Sequence, residues 1–188
     1  MVYIKFEDIP QFTRSANYRV NMSWEYIETW IERQESGGLD LDPPFQRAHV
    51  WNKQQQIRYV EFILRGGCSG RDIYFNNPTW MGTFTGETVL VDGKQRLQAV
   101  RRFLHNEIPV FGTLHKDYED KLPTLHCDFI VHVNDLKTME KVYQWYIDLN
   151  SGGTPHTDEE IEKVRKLLKQ EQKSTPAKPP VHMIKLTV

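Results

Sequence analysis

The segment TVLVDGKQRLQAVRRFLH, Thr88 to His105, decides how this chain is built. Thr88 to Val91 is a short aliphatic run that reads as a buried strand. Asp92-Gly93 ends it with a turn pair. From Gln95 onward, Leu97, Val100, Phe103 and Leu104 recur at helical spacing, so residues 95–105 read as a helix. Strand, tight turn, helix aims side chains and amides into a cleft at the strand end.

Elements of both kinds flank this unit. Upstream, Val2 to Phe6 alternates weakly and reads as a short strand, and residues 7–21 as a loop or sheet edge. Ser23 is an N-cap candidate for a helix carrying Trp24, Ile27, Trp30 and Ile31, which stops at Gly37-Gly38. Asn52 and Gln55 form a capping box that opens a helix over 53–65, with Ile57, Val60, Ile63 and Leu64 inward. Arg71 to Phe75 is a strand candidate, and 76–86 a loop or hairpin.

Downstream, Cys127 to Val133 alternates as a strand. Thr138 caps a helix over 138–149. Thr157 and Glu160 make a second capping box, for a helix over 158–170. The expected fold class is α+β: a small mixed sheet from residues 2–6, 71–75, 88–91 and 127–133, packed by the helices at 53–65 and 95–105. The last two helices form a C-terminal lobe that completes a groove. One domain is expected over 1–170, followed by a basic, proline-containing tail over 171–188.

The chain has 188 residues with 24 Lys or Arg, 25 Asp or Glu and 12% aromatics. That is enough for a packed core, and the near-zero net charge excludes a wholly basic nucleic-acid coat. A local basic groove stays open, because affinity follows the local field. Residues 161–188 carry seven Lys or Arg against two Glu, either a solvated face or a phosphate-contacting one. Two cysteines exclude a disulfide framework. With no apolar run of membrane length and no signal-like N-terminus, a cytoplasmic protein without membrane contact is expected.

Three segments place polar groups beside apparently buried ones: PPFQRAHVW (43–51), VDGKQRLQA (91–99) and LNSGGTPHTDEEI (149–161). Arg47 and Arg96 can each offer a planar donor fork to a phosphate, or pair structurally with acids. Asp92 can orient an arginine, a water or a metal ion. Gly93 lets backbone approach a ligand, or simply makes a turn. Gln95 sits where a helix start favours anions, and the Gln46 amide can orient a water or read a base edge. Trp24, Trp30 and Trp51 read as packing residues, and Trp80 as a loop aromatic. Cys68, in GGCSG between Arg65 and Arg71, reads as a loop cysteine. On a strand, His126, Asp128 and His132 are too spread out for a compact site.

Taken together, the three segments resemble the N-terminal DUF262 domain of the ParB/sulfiredoxin-like superfamily, found in type IV restriction enzymes and phosphorothioate-sensing phage defence proteins. Pro44, Phe45, Gln46, Arg47, Val50 and Trp51 follow its first pattern. Asp92, Gly93, Lys94, Gln95 and Arg96 follow its DGQQR motif, with Lys94 in place of the usual glutamine. Asn150, Ser151, Gly152, Gly153, Thr154, Glu160 and Ile161 follow the third, and the whole spans roughly residues 40–165.

The resemblance implies nucleotide binding and hydrolysis, linked to DNA recognition or cleavage. In that reading Arg47 and Arg96 hold phosphate oxygens. Asp92 positions a water or a divalent ion (Mg or Mn), and Gln46 and Gln95 orient the phosphate or the water. Lys94 adds a phosphate contact, and Asn150 with the Gly152-Gly153 bend closes the cleft. Expected partners are a nucleoside triphosphate, DNA, a separate effector subunit and a second copy of the chain. A non-catalytic nucleotide or nucleic-acid binding module of a phage or defence system is the alternative.

Overall fold

The computed structural model describes residues 2, 4–10, 18–35, 37–46, 51–83, 86–123, 125–151 and 158–174. Among these, the strands β1 (Tyr18–Ser23), β2 (Leu39–Asp40), β3 (Asp72–Asn76), β4 (Thr88–Asp92) and β5 (Asp128–Asn134) form one sheet, in the order β1-β5-β3-β4-β2. β1 runs antiparallel to β5, and β3 antiparallel to β4. The β3–β5 and β4–β2 pairs are parallel, so the sheet is mixed. The helices are α1 (Trp24–Glu35), α2 (Lys53–Leu64), α3 (Lys94–Leu104), α4 (Met139–Ser151) and α5 (Asp158–Ser174).

Two apolar clusters lie on opposite faces of this sheet. Ile73, Phe75, Leu90, Phe129, Val131 and Val133 pack with Trp24, Ile27 and Ile31 of α1, Val60 and Ile63 of α2, and Leu97, Val100 and Phe103 of α3. Val89 and Val91, which alternate with Leu90, pack with Phe45, with Val142, Tyr143, Trp145 and Tyr146 of α4, and with Val164 of α5. The α+β class and the helical C-terminal part are as expected. α4 covers the second face of the sheet and lines a cleft, while α5 packs on α4 and is not among the residues that line that cleft.

Local signals hold in detail. Ser23 Oγ accepts from the Tyr26 amide at 3.2 Å. Asn52 and Gln55 close a reciprocal capping box at 2.9 and 2.8 Å. Thr138 Oγ1 accepts from the Lys141 amide at 3.4 Å. The box expected at Thr157 lies outside the described residues. α5 runs to Ser174, past the composition shift at Gln170, and Gln172 bonds Glu140 of α4 at 3.2 Å.

One strand is corrected. Val2, Ile4 and Phe6 are 88%, 91% and 93% exposed, and residues 6–8 form a single 3-10 turn. The sheet edge is β1 instead, where Val20 and Met22 face the core between the outward Arg19 and Asn21. An alternating run is a strand only where a partner edge accepts it, and here β5 accepts residues 18–23. The two-residue β2 was not foreseen.

His132 and Asp128 bind different partners, as their spacing requires: His132 Nε2 meets Asp72 Oδ1 at 2.8 Å, while Asp128 pairs with Arg71. Cys127 is buried and Cys68 exposed. Burial, with the nearby Asp128 and Glu25 carboxylates, pushes the Cys127 thiol up to about 11. A thiol-disulfide reagent at pH 8 should therefore titrate one thiol per native chain and two after denaturation. Two fast thiols in the native protein would contradict this packing.

Candidate functional site

The site begins where β4 becomes α3. Gly93 takes φ +100° as the cap of α3. A Cβ at this position would come within 2.5 Å of Ile73 Cδ1 and 3.2 Å of the Asp72 carbonyl oxygen. Close packing against β3 and the turn at positive φ therefore favour glycine here, independently of any ligand. Asp92 and Arg96 are thereby placed one helical turn apart, and Arg96 Nη2 donates to Asp92 Oδ2 at 2.5 Å.

A bulge contributes as well. Phe75 pairs with Leu90 but Tyr74 pairs with Asp92, so Val91 is an extra residue on β4. Plain alternation from Leu90 would turn Asp92 toward the α1–α3 core. The register shift sets it opposite Tyr74 instead.

A cleft of about 520 Å³ opens at this junction. Gln46, Asp92, Gly93, Lys94, Gln95, Arg96 and Asn150 all line it, although they come from three distant segments. Arg47, Gly152 and Gly153 lie outside the described residues, and so do His49 and Val50.

Several of these side chains already have partners. Gln46 is buried, and its Nε2 donates to the Leu90 carbonyl at 2.5 Å, tying the PPFQ segment to β4. Gln95 is buried, and its Oε1 accepts from the Trp51 amide at 3.1 Å, tying α3 to the approach to α2. Arg102 extends that tie by donating to Gln56 Oε1 at 2.7 Å, while Gln56 Nε2 donates to the Trp51 carbonyl at 3.1 Å. Lys94 pairs with Asp42, and Asn150 Nδ2 donates to the Tyr146 carbonyl at 2.7 Å. The two glutamines thus shape the walls, whatever else they do.

Of the other lining residues, Trp51 closes the first motif segment, and Tyr59, Phe62, Ser69, Gly70 and Tyr146 lie outside the motifs. Trp51, Tyr59, Phe62 and Tyr146 give the cleft aromatic walls, and Ser69 and Gly70 a polar rim. The rings of Trp51 and Tyr59 meet at 5.3 Å. Burial raises the Tyr59 phenol well above its ordinary value, against the opposing pull of Arg96 and Arg71. It stays protonated and donates to the Gly70 carbonyl at 2.9 Å. Behind Asp92, Tyr74 stacks on His132 at 4.5 Å, and burial with Asp72 and Asp92 raises its phenol too. Strand alternation at 72, 74 and 132 was the only available hint of this second row.

Among the described residues no group of three His, Cys, Asp or Glu is placed to hold a metal ion. Asp92 is the one carboxylate among the lining residues, and it is already paired. This donor set suits a divalent ion only where a ligand's phosphates supply further oxygens.

The strand–turn–helix junction and its cleft define an α+β domain with a polar pocket at a strand end. The model of the GmrSD restriction endonuclease N-terminal domain matches residues 27–126, more than half of the chain, and the chain belongs to that family. The match includes the first two motif segments, and the Asn150 segment falls beyond it. No curated protein and no solved structure matches this chain. No described helix is long and apolar enough to cross a membrane.

Gly93→Ala should destabilise the fold by about 2 kcal/mol or more, from the positive φ and the contact with Ile73 together. Urea unfolding measures it. A variant as stable as the parent would refute the packing argument.

Proposed function

We propose that the cleft binds a phosphoryl group and that the chain works as a DNA-associated phosphoryl hydrolase, acting on a nucleotide anhydride or a phosphodiester. Membership in a restriction-endonuclease domain family supports the DNA association. The observation that carries the reading is the meeting of Asp92, Gly93, Lys94, Gln95 and Arg96 with Gln46 and Asn150 around one hollow.

Arg96 uses one guanidinium N–H on Asp92, which leaves further donors of its planar fork for an oxyanion. The first amides of α3 add donors and a favourable dipole. Asp92, a third exposed and tethered by Arg96, is the group to position an attacking water. A divalent ion would enter with the ligand's phosphates and meet Asp92, supplying charge neutralisation. Arg47 and the Gly152-Gly153 bend belong to this proposal on the strength of the motif alone. So do a ParB/sulfiredoxin-like fold name, a separate effector subunit and a homodimer.

A single carboxylate already held by an arginine also fits a binding module without turnover, and one experiment separates the two. The protein is incubated with each nucleoside triphosphate and Mg²⁺, and separately with supercoiled plasmid. Arg96→Ala should weaken phosphate-ligand binding by roughly 10- to 100-fold, as expected for losing hydrogen bonds to a charged group. Asp92→Asn should keep most binding and lose phosphate release or nicking. Binding without turnover in the wild type selects the module. Full activity in both variants removes the cleft from the function.

A further inference from the structure

The sheet has two edges, and they differ in how well they are guarded. β2 is two residues long, too short to template a further strand. β1 is six residues long and pairs with β5 in unbroken register, from Tyr18↔Val133 to Ser23↔Asp128. It carries no bulge and no proline, and its one charge, Arg19, faces away from the core. Those are the devices by which an edge strand keeps other chains off, and β1 has none of them. Ile130 of β5 donates its amide to the Arg71 carbonyl, on the β3 side. Asn21, opposite Ile130 on β1, therefore points its own N–H and C=O outward, and so does Arg19 two residues earlier. Among the described residues nothing pairs with that edge.

The same chain holds a segment with the complementary defect. Val2, Ile4 and Phe6 recur at every second residue, almost wholly exposed, with Lys5 between the last two. That is the pattern of a strand with one apolar face. Laid along β1, this segment is one residue shorter than the strand beside it. Val2, Ile4 and Phe6 then fall on the face of Val20 and Met22, next to the larger apolar cluster, and Lys5 falls on the solvent face with Arg19 and Asn21.

Pairing within one copy would make residues 7–17 a hairpin loop, far beyond the roughly two to five residues of ordinary hairpins. A second copy meets no such constraint, and the exchange is reciprocal: each chain gives an arm and accepts one. We infer that residues 2–6 pair as an added strand along β1 of a second copy of this chain. Main-chain hydrogen bonds at Arg19 and Asn21 hold the arm, and its three apolar side chains extend the core face. No residue of β1 or of the arm lines the cleft, so this contact is independent of the phosphoryl reading. It gives the homodimer a surface.

Light scattering on the size-fractionated full chain, from about 1 to about 100 µM, tests it. The wild type should pass from monomer to dimer within that range. Ile4→Pro removes an amide and the strand geometry of the arm. Asn21→Pro removes an outward donor from β1 and leaves its bonds to β5 in place. Each should raise the dimer dissociation constant by at least about 10-fold and leave the circular dichroism of the monomer unchanged. Lys5→Gln, on the other face of the arm, should leave association unchanged. If Asn21→Pro does not fold, Ile4→Pro decides alone.

A dimer at full strength in Ile4→Pro, or in a folded Asn21→Pro, would put association on another face and overturn the arm exchange while leaving a homodimer in place. A wild type that stays monomeric throughout would overturn both. Neither result bears on phosphate binding by Arg96, which has its own test.

Discussion

Gly93 has no room for a side chain, and the rest of the site follows from that contact. With Ile73 Cδ1 and the Asp72 carbonyl pressed against it, the chain must turn at φ +100° as it leaves β4. α3 then starts against β3, and its first turn faces the strand end. The one-turn spacing of Asp92 and Arg96 becomes an ion pair, and the Val91 bulge sets the carboxylate on the side of Tyr74. Between partly exposed groups such a pair adds little stability, about 0–1 kcal/mol. Its consequence is orientation: the guanidinium is held by one contact, with its other donors directed elsewhere.

The surrounding ties hold the walls at fixed separation. Gln46 joins the segment before α2 to β4, and Gln95 joins α3 to Trp51. Tyr59 joins α2 to the loop that precedes β3. The two glutamine bonds lie in buried or partly buried places, where a lost partner costs about 1–3 kcal/mol, while the Tyr59 bond lies in an exposed one. Polar residues of the motifs thus act as fasteners for a hollow whose charged members, Arg96, Asp92 and Lys94, are each held in an ion pair. A cleft whose walls are tied in this way is ordered in advance, which is the condition that lowers the entropy cost of any binding there.

Much of this was legible in the sequence because it was local. The strand at 88–92, the Asp-Gly turn, the caps at Ser23, Asn52 and Thr138, and the helices they open follow from short-range chemistry. The nearness of Gln46, Asp92 and Asn150 was legible only through the resemblance of the three segments to a known domain. The sequence reads 18–21 only as part of a loop or sheet edge, because its apolar residues, Val20 and Met22, are few and its pairing depends on β5, more than a hundred residues on. The same limit hid Tyr59, Tyr74 and the 66–70 loop. A tyrosine on a helix reads as packing until the fold shows what stands across from it. The reverse error was Val2 to Phe6, a strand-like alternation with no strand beside it.

The central claim is that an oxyanion is held at the first turn of α3 by Arg96. Nuclear magnetic resonance of ¹⁵N-labelled protein titrated with inorganic phosphate tests it most directly, by following the backbone amides and the arginine Nε–H signals. The account predicts saturable shifts concentrated at the amides of residues 93–97 and at the Arg96 side chain. Shifts spread instead over the lysines of α5, at 163, 166 and 169, with Arg96 unmoved, would contradict it.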